Sequence, residues 1–186
     1  MTLTSNDHSA SLTGRVWRLD PESSSAEFRV PSYWGLETVH GRFKRFDGSL
    51  GTDGRIEMTI DAASLRTGNP LRDRHLRSAH FFDTDHHPHV SFRSTGLERK
   101  PDGGWRLHGQ LLAAGHQLAL DLTPTVDVAE DRLEIEVQTR VDQRRLGMTY
   151  TRFGIRTPAT LTVHAYLRLE GGRNDPDGGE LLPVKS

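Results

Sequence analysis

The sequence predicts an all-β domain of about eight antiparallel strands that one short helical segment interrupts. Three observations predict this fold class. Apolar and polar residues alternate with a period of two along most of the chain, and short turns rich in Gly, Asp and Pro separate the runs. The hydrophobic fraction is 34% and there are 18 glycines, which favours many half-exposed strands over a helical bundle. At 186 residues, one domain with one core is expected.

The alternating runs follow one another closely along the chain. They cover Trp17–Leu19 resumed by Ala26–Val30, then Thr38–Phe43, Ile56–Ile60, Val90–Ser94, Trp105–Leu111, Leu118–Leu122, Leu133–Val141 and Thr157–Leu169. Gly41 and Gly109 occupy apolar positions within two runs, which indicates a bend or a close approach of another group. Eight strands can close a barrel that holds a small ligand, whereas two packed sheets would form a sandwich filled by its own side chains. Alternation alone does not distinguish the two.

The helical segment is predicted at about residues 62–79. Asn69 is a good N-cap residue, and Pro70 suits the first helical position because its missing N–H would have no partner there. Spacing places an apolar stripe on one side, and two phenylalanines follow the helix. The side chains expected to face the apolar interior or its rim are Leu71, His75, Leu76, Phe81 and Phe82.

Composition limits the domain organisation and the classes of function. Residues 1–14 are polar and predict a disordered leader, 15–170 form the domain, and 171–186 predict a flexible tail. Cysteine is absent, which excludes disulfides and thiolate metal sites. The net charge of -1 provides no overall field for nucleic acid, and no segment is apolar enough for a signal peptide or a membrane span. We therefore expect a cytoplasmic protein that is not an integral membrane protein.

Several motifs resemble the YceI-like family of lipocalin-like barrels associated with polyisoprenoid binding. The most specific is TGNPLRDRHLRSAHFFD followed by Pro88 and VSFRST; VHGRFKRFDGSL and TRFGIRTPA support it, in the same order, between about Trp17 and Leu169. The resemblance implies an eight-stranded antiparallel lipocalin-like barrel. It also implies that the barrel binds a long apolar lipid, a polyisoprenoid or an isoprenoid quinone, for transport or storage. His80 and the stretch Ala113–Leu122 depart from the family's pattern.

In such a barrel the inward-facing apolar side chains would line the ligand. The lining predicted from the strand faces and the helical segment consists of Phe28, Val30, Trp34, Phe43, Met58, Leu76, Phe81, Phe82, Phe92, Leu107, Leu120, Ile135 and Leu161. The alternative is a dry core, because small barrels can be filled by their own side chains. A hydrophobic small-molecule ligand is the expected partner, without a further cofactor, and a homodimer is plausible for a barrel with an exposed edge.

Arginines near the helix are candidates for binding a ligand head group by charge-assisted hydrogen bonds. The predicted head-group residues are Arg72, Arg77, Arg152 and Arg156. The alternative is that they form an ordinary solvated surface.

Other chemistries have weaker support in the sequence. His86, His87 and His89 have donor types suited to a metal, but their spacing around Pro88 matches no established ligand pattern, so no metal site is predicted. Ser64, Asp73 and His75 are the residue types of a hydrolytic triad, yet no glycine-framed nucleophile is present. We therefore predict a binding protein and no enzyme. The alternatives are an enzyme acting on a lipid in the barrel and a metal-assisted stress protein.

Overall fold

The structure is a computed structural model and describes residues 12, 14–32, 37–149 and 158–170. Trp34, Arg152 and Arg156 lie outside the described residues, as do residues 171–186, predicted to be a flexible tail, and most of the predicted leader. Two leader residues are described: Leu12 is buried, and the Gly14 N–H donates to the Thr52 carbonyl at 2.9 Å. The helices of the described part are all too short or too polar to cross a bilayer.

The described residues form an all-β fold with one short α-helix. The strands are β1 Trp17–Leu19, β2 Ser25–Ser32, β3 Glu37–Phe43, β4 Phe46–Leu50, β5 Ile56–Asp61, β6 Leu65–Arg66, β7 His89–Arg99, β8 Trp105–Ala113, β9 His116–Leu122, β10 Thr125–Val128, β11 Arg132–Val141 and β12 Ala159–Leu169. The helix α1 is Pro70–Arg77, and 3-10 turns occur at Ala62–Ser64 and Gln143–Leu146.

All strands belong to one antiparallel sheet, hydrogen-bonded in the order β6-β3-β2-β12-β1-β4-β5-β7-β8-β9. β11 pairs with the other side of β12, and β10 pairs with β11. Within the described residues no backbone ladder joins β9 to β11, so the sheet is not closed. The sheet has twelve strands where the sequence predicted eight, because a turn divides β1 from β2 and because β4 follows β3 outside the predicted runs. The short β6 and β10 were not predicted.

The predicted helical insertion at 62–79 is divided into three pieces. Asp61 caps a 3-10 turn by accepting from the Ala63 N–H at 2.8 Å, and β6 then pairs with β3. Helix α1 begins only after Gly68, whose φ of 78° ends the extended segment. The predicted cap is confirmed: the Asn69 side chain accepts from two backbone N–H groups of the first turn, and Pro70 follows it.

Large apolar side chains close one end of the sheet. This base cluster consists of Leu12, Trp17, Leu19, Leu50, Trp105, Leu133, Ile135 and Leu167. Several of its members come from strand ends that meet there: the last residue of β4 and the first residues of β1 and β8. Helix α1 and the two 3-10 turns lie at the opposite ends of these strands, so the two ends of the molecule are built differently.

Candidate ligand cavity

An apolar cavity of about 620 Å³ lies between the concave face of the sheet and helix α1. This volume is within the range of small-molecule binding sites. Twelve of the thirteen residues predicted to line a ligand also line the cavity: Phe28, Val30, Phe43, Met58, Leu76, Phe81, Phe82, Phe92, Leu107, Leu120, Ile135 and Leu161. The thirteenth, Trp34, lies outside the described residues.

The cavity wall is incompletely packed. Met58, Phe92, Leu120 and Leu161 point inward from their strands, yet each is only partly buried. Inward-facing side chains that meet an opposite wall lose nearly all their accessible surface, as those of the base cluster do. The surface that these four residues retain therefore faces the cavity. A dry, self-filled core does not describe this part of the molecule.

An aromatic group connects helix α1 to the cavity wall. The Phe82 ring lies 5.7 Å from the Phe43 ring and 6.5 Å from the Phe28 ring, centroid to centroid. These distances are typical of favourable aromatic pairs. The Phe82 N–H donates to the Leu76 carbonyl at 3.0 Å, which holds the chain after the helix against the cavity. Leu76 and Phe82 thus cover one side of the cavity, as the apolar stripe predicted.

Leu71 lies at the rim of the cavity, one of the two places expected for the residues of that stripe. It is 74% exposed there. The first turn of α1 lies at the mouth of the cavity, where Leu71 meets solvent, whereas Asp73 of the same turn is buried. The mouth is bordered by Glu37, Asn69, Leu71 and Arg72.

Of the two predicted head-group residues in the described part of the chain, Arg72 reaches the cavity. Its Nε donates to Thr67 Oγ1 at 2.9 Å and its Nη2 donates to the Thr67 carbonyl at 3.0 Å. Its Nη1 lies 3.5 Å from Glu37 Oε1. These contacts orient the guanidinium at the mouth, with about 30% of the side chain exposed. Glu37 had no signal in the sequence, because only the pairing of β3 brings it to this position.

Arg77 occupies a different place from the one predicted. It does not border the cavity; its Nη2 donates to the Leu65 carbonyl at 2.9 Å, which fastens α1 to β6. Arg77 follows Arg72 by five residues, which is about 140° around a helix of 3.6 residues per turn, so the two side chains leave the helix in different directions. Arg152 and Arg156 lie outside the described residues.

The residue types of a triad are not assembled. Ser64 Oγ donates to the Asp61 carbonyl at 2.6 Å and accepts from the Lys44 and Arg45 N–H groups, both at 3.1 Å. Asp73 Oδ1 accepts from the Thr67 N–H at 2.8 Å and from its hydroxyl at 2.6 Å. Both buried polar groups hold the backbone in place.

The histidines after the helix do not form a metal centre in the described part of the chain, where no group of three or more His, Asp or Glu residues is arranged to hold a metal ion. His86 Nδ1 lies 2.9 Å from Asp83 Oδ1, and this hydrogen bond raises the pKa of the exposed imidazole. His87 packs its ring against Gly115, and His89 is exposed at the start of β7.

The sequence prediction omitted several residues of the cavity wall. Val137, Thr139, Val163 and Ala165 alternate with outward residues on β11 and β12 and line the same cavity. The signal that identifies them is the alternation itself, applied to every inward position of each strand.

The fold and the cavity together define an all-β protein whose antiparallel sheet encloses a mostly apolar cavity with a polar mouth. A model of the YceI-like domain matches residues 17–169. The chain therefore belongs to the YceI-like family, as the sequence motifs indicated.

Individual relatives agree with this assignment. Protein YceI of Shigella flexneri is 33% identical over 94 residues, which cover 46% of this chain and 49% of the relative. A UPF0312 protein of Pectobacterium atrosepticum is 36% identical over 94 residues, which cover 46% of this chain and 48% of the relative. The chain thus spans about half the length of the curated relatives it matches.

Two solved structures share the fold. BcnA of Burkholderia cenocepacia superposes with a TM-score of 0.68 at 16% identity, covering 80% of this chain and 98% of that one. A polyisoprenoid binding domain from Saccharophagus degradans, implicated in plant cell wall breakdown, superposes with a TM-score of 0.69 at 16% identity, covering 82% and 98%. At these identities the likeness concerns the fold alone.

Proposed function

We propose that the protein binds a long apolar isoprenoid-type lipid, a polyisoprenoid or an isoprenoid quinone, in its cavity for transport or storage. The observation that carries the proposal is the apolar cavity of about 620 Å³ whose wall residues keep accessible surface. Membership of the YceI-like family and the described activity of the Saccharophagus degradans domain support the ligand class.

We propose further that the sheet works as an eight-stranded lipocalin-like barrel. β1 and β2 pair with successive parts of β12, so they act as one bent strand, and β3 and β4 follow one another in the same way. The edges of β9 and β11 approach each other, and both strands contribute to the cavity wall. Sheets of this size hold one small ligand when they are rolled up.

Simple energetics support an isoprenoid ligand. Burying a five-carbon isoprene unit contributes roughly 4 kcal/mol, at about 0.8 kcal/mol for each carbon, whereas micromolar affinity needs about 8 kcal/mol plus the ordering cost. At roughly 30 Å³ for each non-hydrogen atom, the volume of a liquid water, a cavity of about 620 Å³ holds about 20 atoms, or four isoprene units. A longer chain would extend through the mouth.

Solvent extraction of the purified protein followed by mass spectrometry tests the proposal. We expect a prenyl lipid at about one molecule per chain. Val163→Trp, which fills the cavity from β12, should lower lipid content at least roughly tenfold, because the indole occupies ligand volume. Thr162→Trp, on the outward side of the same strand, is the matched control and should keep its lipid. An extract without prenyl lipid, or equal content in both variants, would contradict the proposal.

We propose that Arg72 recognises an anionic head group at the mouth. Arg72→Gln should weaken binding of a phosphorylated prenyl chain roughly tenfold, the value of one charge-assisted hydrogen bond, and leave the neutral alcohol unchanged. Arg74→Gln, on the same helix but away from the cavity, is the control. Titration with both ligands measures the difference. Equal weakening for both ligands would show that Arg72 acts only by orienting the helix.

Two expectations stay predictions. The homodimer is tested by sedimentation equilibrium of the purified chain. The cytoplasmic location is tested by fractionation of cells that express the full-length protein.

A further inference from the structure

One outward face of the sheet brings together cations that are far apart in sequence. Along one row, backbone pairing places His40 opposite Arg29, Arg29 opposite Thr160, and Thr160 opposite Arg140. The four residues lie on β3, β2, β12 and β11, so the row spans about 15 Å at the usual strand spacing. This row contains no acidic residue.

The next row adds two further arginines. Arg66 lies directly opposite Arg42, and Arg42 lies opposite Glu27, the one acidic residue of these two rows. Like charges placed directly opposite destabilise a sheet, and the Arg66 guanidinium is offset here only by donating to the Ala63 and Leu65 carbonyls, at 3.3 and 2.6 Å. We call Arg29, His40, Arg42, Arg66 and Arg140 the basic face; all five are exposed.

Three arginines of the basic face have no ion-pair partner in the described part of the chain, unlike arginines on β7 and β8. Within the described residues, neither Arg29, Arg42 nor Arg140 makes an ion pair. On β7 and β8, by contrast, Arg93 lies 3.6 Å from Glu57 and Arg106 lies 4.0 Å from Asp121. The net charge of -1 therefore conceals an asymmetric distribution.

Two features favour a phosphate-bearing surface as the partner. A shallow groove runs between Arg29 and Arg140 and is also lined by Thr38, Gln138 and Thr160. Guanidinium, hydroxyl and amide groups are suitable donors to phosphate oxygens.

The basic face also borders the mouth of the cavity. Glu37 at the mouth and His40 on the basic face are three residues apart on β3, about 10 Å. Leu71, 74% exposed, lies at the same mouth and provides an apolar contact beside the charges. Unpaired cations next to an exposed leucine match the interface of an anionic bilayer better than they match nucleic acid.

We propose that the protein docks on anionic lipid bilayers through the basic face, with the mouth of its cavity beside the membrane surface. This goes beyond lipid binding in the cavity: docking requires the outward arginines and holds whether the cavity is filled or empty.

Vesicle sedimentation at low salt tests the docking surface. The probes are vesicles of phosphatidylcholine alone and of phosphatidylcholine mixed with phosphatidylglycerol. Wild-type protein should bind the mixed vesicles only and should be released by added salt. The triple variant Arg29→Gln, Arg42→Gln, Arg140→Gln should lower the partition coefficient roughly 100-fold, at about fivefold for each charge near the surface.

The matched control is a second triple variant, Arg55→Gln, Arg93→Gln, Arg106→Gln, which changes the net charge by the same amount on other strands and turns. It should bind the mixed vesicles nearly as well as the wild-type protein does. Glu27→Gln, which removes the acidic residue of the basic face, should raise binding roughly fivefold and does not depend on tolerance of the triple change.

Several outcomes would overturn the proposal. One is an equal loss of vesicle binding in the triple variant and its control. The others are binding of the wild-type protein to neutral vesicles and an unchanged vesicle binding in Glu27→Gln. Binding of duplex or single-stranded DNA without binding of anionic vesicles would assign the face to nucleic acid instead. Lipid extraction reports on the cavity alone, so failure of docking and failure of the proposed function are distinguishable.

Discussion

Trp17, Leu50 and Leu133 in the base cluster are at most 1% exposed, whereas Phe92, Leu120 and Leu161 in the cavity wall point inward and stay only partly buried. Both regions are built from alternating strands of the same sheet. In the base cluster, bulky side chains including two tryptophans meet across the end of the sheet. Along the cavity wall the opposite sides stay apart, so the same alternation produces a cavity.

The end near helix α1 differs from both the base cluster and the cavity wall. Its buried polar residues, Ser64 and Asp73, hold the 3-10 turn and the helix by side-chain to backbone hydrogen bonds. The base is thus held mainly by apolar burial, whereas the helical end, which also buries Leu65 and Phe81, adds local polar contacts. This difference predicts that mutations will have different effects in the two regions.

The largest difference is expected from truncating a leucine in each region. Leu133→Ala should lower the free energy of unfolding by about 3 kcal/mol, because it leaves a cavity in a fully packed cluster. Leu161→Ala should cost about 1 kcal/mol, because it only enlarges a cavity that is already present. Urea denaturation measures both values. Equal losses of unfolding free energy in the two variants would mean that the cavity wall is packed as tightly as the base cluster.

Intermediate effects are expected at glycines on which aromatic rings rest. A Cβ at residue 109 would lie 2.4 Å from the Phe92 ring and 2.7 Å from the Arg93 carbonyl oxygen, so Gly109→Ala should cost about 2 kcal/mol. The three atoms nearest to a Cβ at Gly41 all belong to the Phe28 ring, which can turn toward the cavity, so that variant should cost about 1 kcal/mol.

Gly96→Ala is the control for these glycine variants, because nothing lies within 4 Å of its added Cβ. It should change the thermal midpoint little. A large loss of stability in Gly96→Ala, or no loss in Gly109→Ala, would contradict the ring-contact explanation.

The smallest effect is expected at the polar helical end. Arg45 donates two hydrogen bonds to Asp61 Oδ2, at 2.6 and 2.9 Å, and this guanidinium holds the pKa of the Asp61 carboxyl below its usual value. The ionised carboxylate therefore stabilises the fold above the unfolded pKa of about 3.9, and the stabilisation is lost as pH falls through the lower folded pKa.

Arg45→Gln tests this contribution by urea denaturation across pH. Because the pair is partly exposed, the variant should lose only about 0.5 kcal/mol at neutral pH. Its difference from wild type should shrink as the pH falls below about 4, where the carboxylate becomes protonated. A difference that is independent of pH would mean that Arg45 acts through packing alone.

The sequence by itself determined the long strands, their inward faces and the helix start. Alternation identified nine residues that line the cavity, the helical segment identified three more, and Asn69 with Pro70 located the start of α1, because these properties depend on neighbours within a few residues. The motifs that indicate the family are likewise short continuous segments of the chain.

Only the tertiary structure decided whether the inward faces meet, since that depends on the distance between strands far apart in the chain. It turned Arg77 toward Leu65 and Arg72 toward Glu37, a distinction that helical spacing alone did not provide. It likewise aligned Arg29 and Arg140, more than a hundred residues apart, on one face. Net charge and local pattern contain no information on such a juxtaposition, because pairing between distant strands creates it.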